Sequence, residues 1–221
     1  VSINNAGLRY PGCTEPTLRG VSLTASSGDL IAITGASGSG KSTLLKTIAG
    51  LYPLQVGSIR IDDVDIRQID VAELRQGIGY MPQKSTLIYG TIAQNLKLAD
   101  PTATAAAIEN ALEAVGVMDQ VRQLPDGIDT RLRGMHEGRF SNVFLEQISL
   151  ARAVVKNAPL YLLDEPDSES DAASIDCLGQ MLLRLQGKST VILATTRPEL
   201  IQMANRVVIL EEGRVSAEGP P

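Results

Sequence analysis

Glycines at 35, 38 and 40, run directly into Lys41, Ser42 and Thr43, are the residues whose types and spacing point most directly to chemistry. Gly35-x4-Gly40-Lys41-Ser42 satisfies the pattern of a phosphate-binding loop. Gly35, Gly38 and Gly40, interleaved with Ser37 and Ser39, let backbone amides turn inward onto phosphate oxygens. A helix opening near Lys41 aims the positive end of its dipole at the same oxygens. Lys41 adds a point charge for β- and γ-phosphates, and Ser42 offers a hydroxyl to Mg²⁺. The bland alternative is a flexible Gly/Ser turn. A preceding apolar strand and a following helix argue against it.

A second constellation is Leu160-Tyr161-Leu162-Leu163-Asp164-Glu165, an apolar run ending in two acids. Asp164 is expected to hold Mg²⁺ through water, as in Walker B sites. Glu165 stands one residue on, where it could activate an attacking water, a role that contributes roughly 10²–10⁴ in rate. Alone, the pair could equally be an acid pair stabilised by the dipole of the next helix. The phosphate loop in the same chain favours the metal reading.

These residues need positioning elements, and the pattern supplies them. Ser2–Tyr10 alternates loosely and Val21–Thr24 more cleanly, as strands do. Leu30–Thr34, Leu160–Leu163, Thr190–Ala194 and Val207–Leu210 are continuous apolar runs of strand length, as in parallel sheets buried on both faces. Ser58–Asp62 is a further short strand, and Glu211–Arg214 reads as a hairpin turn. Lys41–Ala49 is helical and stops at Gly50, and Asp171–Gln186 is a second helix. Between Lys84 and Asn157 the pattern is mostly helical, with helix spacing over Ala103–Val115 and one helix face marked by Phe144, Ile148, Ala151 and Val155. The expected fold is α/β: a P-loop NTPase with a RecA-like core, an N-terminal antiparallel β region and an inserted α-helical subdomain. The 221 residues form one domain, with 1–83 and 158–221 as the α/β core and 84–157 as the helical subdomain.

Composition sets outer limits. Hydrophobic residues at 43% allow a real core, and the well-mixed 20% of charged residues argues against disorder. A net charge of -5 implies no nucleic-acid surface. Cys13 and Cys177 are isolated, suit a reducing compartment and form no metal-ligand spacing. The longest apolar runs are too short to span a membrane, and no signal peptide is visible. The chain opens on Val1 inside a strand-like stretch, so it is taken as a piece of a longer protein, the missing part of which could hold membrane segments.

Over essentially its whole length the chain resembles the nucleotide-binding domain of an ABC transporter, most of all the exporter type, in which this domain follows a membrane domain on one chain. Arg9-Tyr10-Pro11-Gly12 resembles the A-loop, Gly79-Tyr80-Met81-Pro82-Gln83 the Q-loop, and Ser168-Glu169-Ser170-Asp171 occupies the D-loop position. Tyr89–Asn95 resembles the exporter segment that faces the membrane domain, Leu124–Thr130 is also exporter-like, and Ser149-Leu150-Ala151-Arg152-Ala153 resembles the helix after the signature motif. Singly, each piece has an ordinary reading: Tyr10 as one of five half-buried tyrosines, Gln83 as a loop amide, Leu150–Ala153 as an Ala-rich helix. Their order and spacing around the phosphate loop carry the likeness. It implies that Tyr10 stacks on adenine and that Gln83 lies near Mg²⁺ and the attacking water.

Two positions depart from the family pattern. Its signature reads Leu-Ser-Gly-Gly-Gln and opens a helix over the partner's γ-phosphate, where this chain has Phe140-Ser141-Asn142-Val143-Phe144. Val143 and Phe144 are expected to bring bulk to that spot. The family's switch histidine is replaced by Thr196, which cannot carry a proton as an imidazole can. His136, the single histidine, reads as a solvent-facing loop residue. Loss of one preorganised donor costs roughly 10²–10³ in rate, which would turn a turnover site into an occupancy site.

The resemblance thus implies an ATPase that drives export by ATP-dependent dimerisation, with ATP and Mg²⁺ as cofactors. Glu165, Gln83, Lys41 and Thr196 are the candidate catalytic residues. Tyr10, Gly35, Ser37–Thr43 and Gln83 form the nucleotide site, and Ser42, Gln83 and Asp164 the metal site. Expected partners are a second nucleotide-binding domain and an upstream membrane domain, with no nucleic acid, at the cytoplasmic face of a membrane, the bacterial inner membrane foremost. The alternatives are a catalytically weakened regulatory half of an asymmetric transporter, a soluble ABC ATPase and, more remotely, a P-loop kinase.

Overall fold

The computed structural model describes residues 1–84, 86–132 and 140–221. In chain order, β1 (Ser2–Leu8), β2 (Leu18–Thr24) and β3 (Leu30–Thr34) lead into α1 (Lys41–Ile48). Then come β4 (Val56–Ile61), β5 (Val64–Asp65), α2 (Val71–Gln76) and β6 (Ile78–Met81). A mainly helical stretch follows: β7 (Gly90–Thr91), α3 (Ile92–Lys97), α4 (Ala105–Ala114), α5 (Met118–Arg122), β8 (Arg131–Leu132) and α6 (Asn142–Val154). The chain closes with β9 (Leu160–Asp164), α7 (Ala172–Leu185), β10 (Thr190–Ala194), α8 (Pro198–Ile201), β11 (Arg206–Glu211) and β12 (Arg214–Gly219).

A six-stranded sheet in the order β12-β11-β3-β10-β9-β6 forms the centre. Its pairings are parallel except for the final hairpin, where β12 runs antiparallel to β11. The apolar runs explain why. Leu30, Ala32, Tyr161, Leu163, Val191 and Leu193 point into one cluster, with the helices α3 to α7. Ile31, Ile33, Leu160, Leu162, Ile192 and Ala194 point into the other, with α1 and the N-terminal strands. A strand buried on both faces must be apolar throughout, because successive side chains alternate sides. The second cluster is closed by the antiparallel sheet β2-β1-β4-β5, as the alternation in the N-terminal third predicts.

β6 is an element the sequence pattern did not announce. Its Gly79 lies so close to its neighbours that a Cβ there would meet the Tyr161 ring at 2.4 Å and the Ala153 carbonyl at 2.5 Å. Close packing therefore selects glycine where strand propensity would not. The stretch after Lys84 also holds a short antiparallel pair, Gly90 with Leu132, between its helices. The hairpin expected at Glu211–Arg214 is present, with Glu212 and Gly213 both in the left-handed region at φ 46° and 77°.

Candidate functional site

β3 delivers the chain into the glycine-rich loop at the carboxyl end of the parallel strands. Gly35 has φ 143°, and a Cβ there would lie 2.1 Å from the Leu210 carbonyl, so the turn tolerates no side chain. α1 then begins with no capping side chain and no acid in its first turn. By contrast α2, α3, α4, α6 and α7 are capped by Asp70, Thr91, Thr104, Ser141 and Asp171. The first amides of α1 are therefore left for an external acceptor, the arrangement that binds phosphate. Lys41 is only 4% exposed, and its ammonium donates to the Gly35 carbonyl at 2.8 Å and the Ala36 carbonyl at 3.1 Å. The charge is held inside the loop, where an anion would compete with those carbonyls for it.

β9 brings the acid pair to the same place. Ser42 Oγ donates to Asp164 Oδ1 at 2.9 Å. Asp164 is fully buried, and its Oδ2 has no hydrogen-bond partner. Burial pushes its carboxyl above the usual range, the Ser42 hydrogen bond opposes this, and the Glu165 charge adds to it. A buried acid with an orphaned oxygen beside a serine hydroxyl is a hard, all-oxygen donor set that suits Mg²⁺. Among the described residues no group of three or more His, Cys, Asp or Glu could hold a metal alone. A metal here would thus lean on phosphate oxygens and water.

Glu165 leaves β9 with φ 49°, its amide donating to the Ala194 carbonyl at 2.9 Å. Its carboxylate accepts from Gln83 Nε2 at 2.6 Å and lies 3.7 Å from Lys41 Nζ. Lys41, Ser42, Gln83, Asp164 and Glu165 therefore converge on one point. Tyr10 joins it from the N-terminal sheet, its hydroxyl 3.2 Å from Thr43 Oγ1 and its ring edge-on to Tyr52 at 5.0 Å.

The other candidates sit differently. Thr196 is exposed on the loop after β10, while its neighbour Thr195 is buried and donates to Asp167 Oδ2 at 2.9 Å. His136 lies outside the described residues. Ser141 caps α6, accepting from the Phe144 amide at 3.1 Å, so this segment does open a helix. The expected bulk of Phe144 is corrected: at 4% exposure it packs into the core and stacks on Phe140 at 5.0 Å. The helical repeat puts it on the face of Ile148 and Ala151, so Ser141 and Asn142 are what the turn exposes.

Several residues were not singled out from sequence. Tyr80 has a buried hydroxyl without a partner, and its phenol is pushed up by burial and by the Asp164 charge. Its place in the Gly79–Gln83 segment was the available signal. Glu146 is a carboxylate on the buried side of α6, and Asp167 follows Glu165 by two residues. An acidic residue among the buried positions of a helix could have flagged the first.

The sequence pattern of the family described as ABC transporter matches residues 18–168. The chain belongs to that family. It is 36% identical over 220 residues to the ATP-dependent lipid A-core flippase of Thiobacillus denitrificans, covering 99% of this chain and 38% of that protein. It is 36% identical over 204 residues to the mycobactin import ATP-binding/permease protein IrtA of Mycobacterium tuberculosis, covering 92% of this chain and 24% of that one. A solved structure of a bacterial Atm1-family ABC exporter with ATP bound superposes with a TM-score of 0.92 at 28% identity, over 99% of this chain and 38% of that one. The chain is thus an ABC transporter ATP-binding domain similar to those of exporter-type proteins, and it spans well under half the length of these relatives.

Proposed function

We propose that this domain binds and hydrolyses Mg-ATP to drive an attached membrane domain that exports a substrate. The convergence of Lys41, Ser42, Gln83, Asp164 and Glu165 on one point carries the reading. In it, the loop amides and Lys41 hold the β- and γ-phosphates, and Tyr10 stacks on adenine. Ser42, Gln83 and Asp164 would hold Mg²⁺, which when bound would neutralise phosphate charge. Glu165, oriented by Gln83 and Lys41, takes the proton of the attacking water. Residues 1–83 and 158–221 act as the catalytic core and 84–157 as the helical subdomain.

The partners follow from the surfaces. The exposed Ser141–Asn142 turn suits contact with the nucleotide of a second such domain, so the working unit is a dimer. Exposed Ile88 and Tyr89, with Leu51 and Leu98 on a groove also lined by Tyr80, Arg152 and Lys156, form the docking face for the membrane domain. Among the described residues no helix is long and apolar enough to cross a membrane. That this chain covers only 38% and 24% of two relatives supports a membrane domain elsewhere on a longer chain. The domain then works at the cytoplasmic face, in a bacterium at the inner membrane.

A second reading, the weakened regulatory half of an asymmetric transporter, is favoured by Thr196 in place of the switch histidine. ATPase turnover of the full-length protein in lipid, wild type against Glu165→Gln, separates the two. The motor reading expects a fall of roughly 10²–10⁴. Equal turnover in both proteins makes this site regulatory.

A further inference from the structure

Between Glu165 and α7 the chain runs through a short segment, Pro166–Ser170, that is gripped from two sides. On one side lies the loop after β10. Asp167, 5% exposed, accepts from Thr195 Oγ1 at 2.9 Å and lies 3.5 Å from Arg197 Nε. On the other side lies α6. Glu146, 8% exposed, accepts from Ser168 Oγ at 2.7 Å, from Ser170 Oγ at 3.0 Å and from the Glu169 amide at 3.2 Å. Asn142 Nδ2 reaches the same segment, donating to Glu169 Oε2 at 3.2 Å.

A buried carboxylate is costly unless its acceptors are used. Here three donors, all from one segment of three residues, use them. That segment is joined to Glu165 by the Ser168 amide, which donates to the Glu165 carbonyl at 3.3 Å. Glu165 holds a left-handed φ of 49°, a conformation that strains a non-glycine residue and persists only where its surroundings enforce it. The backbone enforcing it includes Pro166–Ser170, and what fixes that backbone from the α6 side is Glu146.

We infer that Glu146 is a positioning residue for Glu165, acting through Ser168–Ser170. The inference rests on the assignment of Glu165 as the base, and it links the helix that begins at Ser141 to the placement of that base. Movement of α6 would be felt at Glu165 through hydrogen bonds rather than through the apolar core.

The test uses the full-length protein in lipid, with Glu146→Ala, Glu146→Gln and the double variant Ser168→Ala/Ser170→Ala. In Glu146→Ala we expect kcat for ATP to fall about tenfold with KM changed less than about twofold. Glu146→Gln, which keeps one acceptor oxygen, should recover at least half of the turnover. The double variant, which leaves α6 untouched, should reproduce the kcat loss if Glu146→Ala fails to fold. Amide hydrogen exchange supplies a readout that needs no turnover. Exchange at Glu165 and Glu169 should rise about tenfold in Glu146→Ala, with residues 35–43 unchanged. Faster exchange at Glu169 with none at Glu165, or a rise in KM matching the loss in kcat, overturns the inference. If Glu165→Gln leaves turnover intact, the functional reading has failed, and the exchange at Glu165 still decides the positioning claim.

Discussion

Three carboxyls near the site, Asp164, Asp167 and Glu146, are pushed above their usual range, in each case first by burial. Glu146 is the one whose contribution can be isolated without touching the nucleotide. The hydrogen bonds from Ser168, Ser170 and the Glu169 amide hold its carboxyl down, Asp167 raises it further, and burial outweighs them. A raised folded value means the folded state holds the proton more tightly than the unfolded chain. Its stabilising contribution is then full below the unfolded value of 4.5 and is lost as pH rises through the folded one. Glutamine at 146 has no such titration. Melting temperatures of wild type and Glu146→Gln across about pH 5–8 should therefore converge, or cross in favour of the variant, as pH rises. A gap that widens with pH would show that the hydrogen bonds dominate instead.

Among the elements, α6 shows best how one helix serves two ends. Its buried face, Phe144, Ile148 and Ala151, anchors it to the core, while its first turn presents Ser141 and Asn142 to solvent. The two roles should separate energetically. Phe144→Ala, which removes a buried ring stacked on Phe140, is expected to cost about 3–5 kcal/mol. Ser141→Ala removes only the cap and should cost about 1 kcal/mol. Denaturant midpoints at constant slope would check both, and equal losses would mean the ring is not the anchor. The same helix marks a limit of reading a sequence linearly. The face of Phe144, Ile148 and Ala151 is visible from spacing alone. That Phe144 therefore withdraws from the exposed turn follows only when the helix is laid on its core.

Across the whole molecule, one sheet separates two apolar clusters and bears the candidate site at one end. Ile88, Tyr89 and Leu98 are among the exposed large apolar residues of the domain. Tyr89→Asp in the full-length protein is expected to cut transport at least about tenfold while ATPase turnover in detergent falls less than about threefold, because a charge is costly to bury at a docking face. Equal loss of both would place Tyr89 in the hydrolytic machinery rather than at an interface. The sequence by itself determined the parallel core, since strands buried on both faces must be apolar at every position. It also determined the phosphate loop, since glycine, lysine and serine at that spacing answer to the ligand's own chemistry. Only the tertiary structure decided that β6 closes the sheet, because Gly79 is selected by the Tyr161 ring packed against it and not by strand propensity. It alone decided that Glu146 on α6 grips Ser168–Ser170 beside Glu165. Those residues lie far apart in the chain, and hydrogen bonds between distant segments leave no periodic trace in the order of residues.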